Sequence, residues 1–237
     1  MKKVLFYSFL IFASVSLISC SGGGSSDNKD GKDTTKNSKD SKDADKGKSS
    51  GKYGVKSAVI TMKMSTMGMD QDVTMYIDDN GNKEATDIFM DLGMGDAVPK
   101  IHNRTVVKEG YSYTLDMEKK TGSKMKVPAG AAANGNIDFS KLSDDVMKQM
   151  GMKKNGTKTV LGKKCDQYSI DSKSMNMKGD YAVWNNIPLF MEVEVSGMKV
   201  KMEATKIDLD AKIDAALFDI PKDFTITGMG DMKMPKS

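Results

Sequence analysis

Arginine, histidine and cysteine are nearly absent from this chain of 237 residues. Arg104 is the only arginine, His102 the only histidine, and Cys20 and Cys165 the only cysteines. Proteins that bind nucleic acids usually present a basic face with arginines for phosphates and base edges. The formal net charge of +4 arises entirely in the first 52 residues, because basic and acidic residues are equal in number from residue 53 onward. The composition therefore argues against a nucleic-acid-binding protein.

The same scarcity leaves few groups for catalysis. A cysteine and a histidine can form a nucleophile pair, but Cys165 lies in a strand-like stretch with Tyr168 and Ile170, which favours a buried, inert thiol. With Cys20 acylated, as argued below, Cys165 also has no partner for an intramolecular disulfide. Glycines occur singly or in loops and form no phosphate-binding loop between a strand and a helix. We expect a protein that is not an enzyme and that holds no cofactor.

The N-terminus carries the longest apolar run of the chain. A positively charged segment, 1–3, precedes an apolar segment, 4–18, and the small residue Ser19 stands directly before Cys20. This order is typical of a secretory signal. The alternative is an uncleaved transmembrane helix, but such a helix needs about 20 apolar residues, and this run is shorter. The pattern therefore predicts an exported protein.

The residues Leu17-Ile18-Ser19-Cys20 resemble the lipobox of bacterial lipoproteins. That resemblance implies that 1–19 is a signal peptide, that it is removed, and that Cys20 becomes the acylated first residue. Two or more acyl chains, such as palmitate, anchor a protein stably to a bilayer. We expect the chain to be anchored in the bacterial cell envelope, at the outer membrane, on its periplasmic or its surface side.

A polar tether follows Cys20. Over 20–52 the only apolar side chain after the cysteine is Ala44, among serine, glycine, asparagine, threonine, lysine and aspartate. Such a segment cannot bury enough apolar surface to offset the entropy cost of ordering, so we expect it to be disordered. A flexible chain of this length spans on the order of 30 Å. The rest of the chain, 53–237, can therefore stand clear of the lipid head groups.

Residues 53–237 have the size of one domain, and they begin as strands. In 58–64 the apolar side chains occupy the even positions, the period of a half-buried strand. The Asn-Gly pair in the turn 78–82 favours a tight hairpin; the turn also resembles half of a calcium loop, but it lacks the distal glutamate. Further alternating stretches are 73–77, 84–92, 111–117, 124–127, 189–195 and 198–204. The pattern predicts a mainly β fold, a curved antiparallel sheet of hairpins.

One stretch has helical spacing. Phe139, Leu142, Val146 and Met150 would line one stripe of a helix, with Asn136 or Asp138 at its start and Gly151 at its end. A second short helix is predicted over 210–217. We expect the inserted helix to cover the apolar face of the sheet and to enclose a cavity. The predicted cavity residues are Met62, Met117, Val200 and Met202 on the strands and Phe139, Leu142 and Val146 on the helix.

Several short motifs in 53–237 resemble those of small envelope lipoproteins related to the LolA/LolB lipoprotein carriers. The motifs are Tyr53, Tyr-Ile-Asp-Asp-Asn-Gly at 76–81, Tyr-Ser-Tyr-Thr-Leu-Asp at 111–116, Gly-Lys-Lys-Cys-Asp at 162–166, Val-Trp-Asn-Asn-Ile-Pro-Leu at 183–189 and Phe-Asp-Ile-Pro at 218–221. The resemblance implies a half-open β-barrel with helices over an apolar cavity. In that family an arginine helps to hold the cavity closed; Arg104 is the only candidate by residue type, and its surroundings do not match.

Methionine is unusually abundant, with 21 residues, and three interpretations stay open. Methionine replaces leucine in the core, or it forms a flexible lining for variable apolar ligands, or its thioethers bind Cu(I). The sites that could bend around an ion contain glycine: Met67 and Met69, and Met229, Met232 and Met234. The sequence thus predicts an envelope lipoprotein that binds a lipid or another apolar ligand. The alternatives are a copper-binding lipoprotein and a structural or interaction module without a ligand; no oligomeric state is predicted.

Overall fold

A computed structural model describes residues 51–90, 101–127 and 137–228 of the chain, and these belong to one compact unit. Twelve strands account for most of them. The strands are β1 (Ala58–Thr66), β2 (Met69–Asp78), β3 (Lys83–Met90), β4 (Ile101–Lys108), β5 (Tyr111–Asp116), β6 (Thr121–Lys126), β7 (Met152–Val160), β8 (Lys163–Ser172), β9 (Met177–Trp184), β10 (Ile187–Val195), β11 (Met198–Leu209) and β12 (Thr225–Gly228). None of the helices in these ranges is long and apolar enough to cross a bilayer.

All twelve strands form a single curved sheet in the order β12-β6-β5-β4-β3-β2-β1-β11-β10-β9-β8-β7. Every neighbouring pair is antiparallel except β12 and β6, which run parallel. The two end strands of this order do not pair with each other, so the sheet is unclosed. The predicted antiparallel sheet of hairpins is therefore confirmed, and its open form fits a half-barrel.

Short turns determine which strands pair. Met67 and Gly68 connect β1 to β2, and Ser196 and Gly197 connect β10 to β11, in each case with positive φ at both residues. Two-residue turns of this kind match the right-handed twist of the strands that they join. The predicted Asn-Gly hairpin is longer than a two-residue turn, because Asp79–Gly81 form a 3₁₀ turn between β2 and β3.

The two faces of the sheet have separate hydrophobic cores. Met62 pairs with Val73 on one side and with Ala204 on the other, and all three belong to the larger core; we call this side the pocket face. On the opposite side, Ala85 pairs with Tyr76 of one neighbouring strand and with Val106 of the other, and all three belong to the smaller core. We call this side the back face.

The helical cover of the pocket face is shorter than predicted. The single helix expected from Phe139 to Met150 is divided into the 3₁₀ helix Phe139–Lys141 and the α-helix α1 (Asp144–Gln149). The division occurs because Leu142 is extended and the Ser143 side chain accepts a hydrogen bond from the Val146 N–H, which starts a new helix. The predicted stop is correct: α1 ends just before Gly151, which has a φ of 66°.

The back face is covered by the chain that follows β11. The helix predicted over 210–217 is a 3₁₀ helix at Ala215–Phe218, and the Asp214 carboxylate caps it by accepting from the Ala216 N–H at 3.0 Å. Phe218 is buried in the smaller core, in contact range of β3 and β4. The chain then adds β12 to the sheet edge beside β6. Each face of the sheet therefore has its own cover.

Candidate apolar-ligand site

A small pocket lies on the pocket face, lined by residues of β1, β2, β3, β10 and β11. Its volume is about 40 Å³, far below the roughly 300 Å³ of a small-molecule site. In this conformation the pocket is therefore too small for an acyl chain. Its lining residues are Lys52, Tyr53, Met62, Val73, Met75, Thr86, Ile137, Asn186, Pro188 and Met202.

One side of the pocket is polar and tightly bonded. Lys52 Nζ lies 2.6 Å from Glu84 Oε2, and the Tyr53 hydroxyl donates to the same oxygen at 3.1 Å. Asn186 Nδ2 donates to the Lys52 carbonyl at 3.0 Å. Burial, and then the negative charge of Glu84, raise the pKa of Tyr53, so its phenol stays protonated and remains a donor. Lys52, at the end of the predicted tether, thus contacts the folded sheet.

The cover lies on aromatic side chains of the pocket face. The Phe139 ring packs against Tyr168 and Tyr181, with ring centroids 5.6 and 5.5 Å apart, distances at which aromatic pairs attract. Burial raises the pKa of Tyr181 to about 12. The Asp138 carboxylate accepts from the backbone N–H of Ser140 at 3.1 Å and from its hydroxyl at 2.5 Å, so the segment before Phe139 is held in place.

The structure brings some of the predicted cavity residues together. Met62 and Met202 line the pocket. Phe139, Leu142 and Val200 pack in the same larger core without lining it.

Two predicted cavity residues take other positions. Val146 is half-buried in α1, whose neighbouring Met147 and Met150 pack against the core. Met117 packs against the smaller core on the back face.

The remaining lining residues were not predicted as cavity residues. Val73 and Met75 could have been found from the alternation of β2, because they share its buried face. Lys52 and Asn186 carry no such signal, because their places follow from contacts between distant segments.

Methionines supply much of the pocket-face core. Ten methionines belong to the larger core: Met62, Met64, Met75, Met147, Met150, Met152, Met175, Met177, Met191 and Met202. The predicted copper ligands Met67 and Met69 lie instead at the β1–β2 turn, 71% and 48% exposed. Met229, Met232, Met234 and the predicted acylation site Cys20 lie outside the described residues.

The residues considered for catalysis lie apart. Cys165 on β8 is fully buried, and burial raises the pKa of its thiol, which disfavours the reactive thiolate. Six strands separate β8 from β4, which carries His102. His102 Nε2 is 3.3 Å from Asp87 Oδ1, and Arg104 donates to both oxygens of Asp87 at 2.7 and 2.8 Å. The Arg104 guanidinium therefore neutralises a buried carboxylate on the back face, away from the pocket.

Metal-binding clusters of acidic, histidine or cysteine residues are absent from the described ranges 51–90, 101–127 and 137–228. The turn that resembles half of a calcium loop is the 3₁₀ turn at Asp79–Gly81, where Asn82 Nδ2 donates to Asp79. The turn connects the antiparallel strands β2 and β3.

No family model and no curated protein matches the chain. An uncharacterised conserved protein from Thermus thermophilus is similar in structure at 11% identity and a TM-score of 0.47, covering 73% of this chain and 90% of that one. A structure of MucB, a protein also solved with MucA from Pseudomonas aeruginosa, matches at 8% identity and 0.45, covering 71% of this chain and 58% of MucB. LprF from Mycobacterium bovis matches at 11% identity and 0.34, covering 74% and 93%.

The described residues form one curved, unclosed antiparallel sheet with a helical segment over one face. The site that this architecture offers is the pocket face, with an apolar methionine-rich floor and a polar cluster at Lys52 and Glu84.

Proposed function

We propose that this chain is a lipid-anchored, non-enzymatic protein of the bacterial envelope that binds a lipid or a similar apolar molecule on its pocket face. The observation that carries the proposal is the pocket itself. An apolar floor that includes Met62, Met75 and Met202 is bordered by a few fixed polar groups. Ligand sites commonly combine an apolar lining with a few polar groups that orient the ligand.

A ligand larger than the 40 Å³ pocket requires the core to repack. Methionine suits this, because its unbranched side chain has three rotatable bonds and adapts to irregular shapes. The cover also allows this repacking, because an isolated helix as short as the six-residue α1 is not stable by itself in water. The ligand would enter by displacing the cover and would occupy the space that the methionine side chains vacate.

The polar side of the pocket can orient the polar end of a ligand. The Lys52 side chain is 22% exposed, while its partner Glu84 is 4% exposed. A polar ligand group that reaches Lys52 from solvent would lie beside the Lys52–Glu84 ion pair, while the apolar part lies along the apolar side of the pocket. Anchoring through Cys20, and the expected outer-membrane location, would keep the pocket within reach of membrane lipids.

The test is uptake of a fluorescent fatty acid by the purified full chain. Met62→Trp adds bulk to the pocket and should weaken binding by at least about ten-fold, since excluding roughly 55 Å² of apolar contact costs about 1.4 kcal/mol. Met117→Trp is the control on the back face and should leave uptake unchanged. Leucine at Met62, Met75 and Met202 together should also preserve uptake, because volume and polarity hardly change.

Two results would overturn the proposal. The first is no uptake by the unmodified chain, which would favour a structural or interaction module. The second is equal loss of uptake in Met62→Trp and Met117→Trp, which would place binding away from the pocket or reflect general destabilisation.

A further inference from the structure

Three methionines lie side by side on neighbouring strands of the pocket face. Met64 of β1 pairs with Met202 of β11, and Met202 pairs with Met191 of β10. Directly paired residues on one face have Cβ atoms about 4.5–5.5 Å apart. Among the strand pairings of the described residues, no other cross-strand partners are both methionine. Each thioether sulfur is carried on a flexible arm, so the three sulfurs can converge above Met202.

Burial is graded along this row. Met191 and Met202 are 8% and 6% exposed, whereas Met64 is half-buried. Met64 stands near the end of β1, and the turn that follows carries the exposed thioethers of Met67 and Met69. A metal ion could therefore pass from the exposed turn to Met64 and then to the sulfurs of the buried Met191 and Met202.

The chemistry of the row selects a particular kind of ion. Thioethers are soft, neutral donors that favour Cu(I), whereas carboxylates and carbonyls suit Mg²⁺, Ca²⁺ and Mn²⁺. The next residue in the row is Gln71, paired with Met64 and buried, and its amide is a polar group that can face a single positive charge. The described residues contain no cluster of acidic, histidine or cysteine side chains that would attract a harder ion.

We propose that Met64, Met191 and Met202 form a binding site for one Cu(I) ion, with the three thioether sulfurs as its ligands. The site is distinct from the exposed Met67 and Met69 and does not depend on the binding of an apolar ligand. Core packing alone would account for the burial of these side chains. Packing does not require three thioethers in direct register, since leucine or isoleucine would fill the same positions.

The test is a titration of the purified full chain with Cu(I), without oxygen, against a coloured Cu(I) chelator. The expected result is one ion per chain. Single leucine substitutions, Met64→Leu, Met191→Leu and Met202→Leu, should each weaken binding by at least about ten-fold, the loss that even an outer partner of a metal ligand can cause. Met152→Leu is the control, because Met152 is buried like Met191 and Met202 but pairs with Ile170, and it should bind normally.

A measurement on the unmodified chain makes the test independent of folding. Ag(I), a soft analogue that is not oxidised, should shift the NMR signals of the Met64, Met191 and Met202 methyl groups and leave that of Met152 unchanged. The proposal fails if the unmodified chain binds neither ion, if Met152→Leu loses as much affinity as the others, or if the shifted methyls belong to other methionines. Failure would leave fatty-acid uptake untouched, so the two proposals are separable.

Discussion

Phe139 and Phe218 form a matched pair for testing the role of the cover. Each is 7% exposed and each is carried on a 3₁₀ helix, but Phe139 packs on the pocket face and Phe218 on the back face. Replacing either by alanine removes a buried aromatic ring of similar size. The two variants should therefore share a loss of stability and differ in their effect on ligand binding.

The expected loss of stability follows from burial. Truncating a buried phenylalanine to alanine costs about 3–5 kcal/mol, which includes the lost transfer free energy and the cavity that remains. Phe139 also loses its ring contacts with Tyr168 and Tyr181. Its short helix can relax toward the sheet, so we place Phe139→Ala near 3 kcal/mol and Phe218→Ala, among side chains of the sheet itself, near 4 kcal/mol.

The assay combines urea unfolding with fatty-acid uptake at a concentration where both variants remain folded. An engineered apolar cavity can stay dry and accept an apolar ligand, so Phe139→Ala should take up the probe more tightly than the unmodified chain. Phe218→Ala should take it up unchanged. Equal uptake by both variants would refute the reasoning, as would a loss below about 1 kcal/mol for Phe139→Ala, because the ring would then not be the cover.

Four further predictions concern the acylation site, the tether, Lys52 and the Asp138 cap. Cys20→Ser should release the protein from membranes and abolish labelling by a radioactive fatty acid; continued labelling would exclude Cys20 as the acylation site. Deleting 21–50 should leave the midpoint of thermal unfolding nearly unchanged, whereas Lys52→Ala should cost about 1–3 kcal/mol because buried Glu84 loses a charged partner. Asp138→Ala should lower the free energy of unfolding at pH 7 by about 1 kcal/mol, because the 3₁₀ helix at Phe139–Lys141 loses its N-terminal cap. Burial acts to raise the pKa of Asp138, but hydrogen bonds from Ser140 and Lys141 outweigh it and hold that pKa below its usual 3.8. The stabilisation by Asp138 is therefore complete above the unfolded-state pKa and is lost as the pH falls through the lower native pKa. The free energies of unfolding of the unmodified chain and of Asp138→Ala, measured in urea, should converge at that lower pH.

The strands and hairpins could be predicted because their signals are local. In β1 and β11 the apolar residues alternate, and the pair Ser196-Gly197 favours a two-residue turn between strands. The break in the cover helix also had a local signal. Ser143 followed by two aspartates is typical of a helix start, whereas the apolar stripe across Leu142 and Val146 predicts one continuous helix.

The placement of Met117 could not be predicted in the same way. Alternation separates the two sides of one strand, but it does not say which side joins the core of another hairpin. In β5 the buried Leu115 faces the back, and Met117 follows two residues later on the same side. That assignment depends on Phe218 and the chain after β11, which cover the back face from more than a hundred residues away. The place of Lys52 could not be predicted for the same reason, because its partner Glu84 lies on the distant strand β3.

The two covers differ in how firmly they are attached, and this difference bears on binding. The chain over the back face ends in β12, which hydrogen-bonds to β6 and so becomes part of the sheet. The cover of the pocket face adds no strand to the sheet between Phe139 and Gln149; it consists of two short helices, and α1 makes its main element contact with β7. Segments with few buried contacts open at a lower free energy than the sheet that carries them. We therefore expect the pocket face to open while the strands and the back-face core remain folded, as the proposed binding of an apolar ligand larger than the 40 Å³ pocket requires.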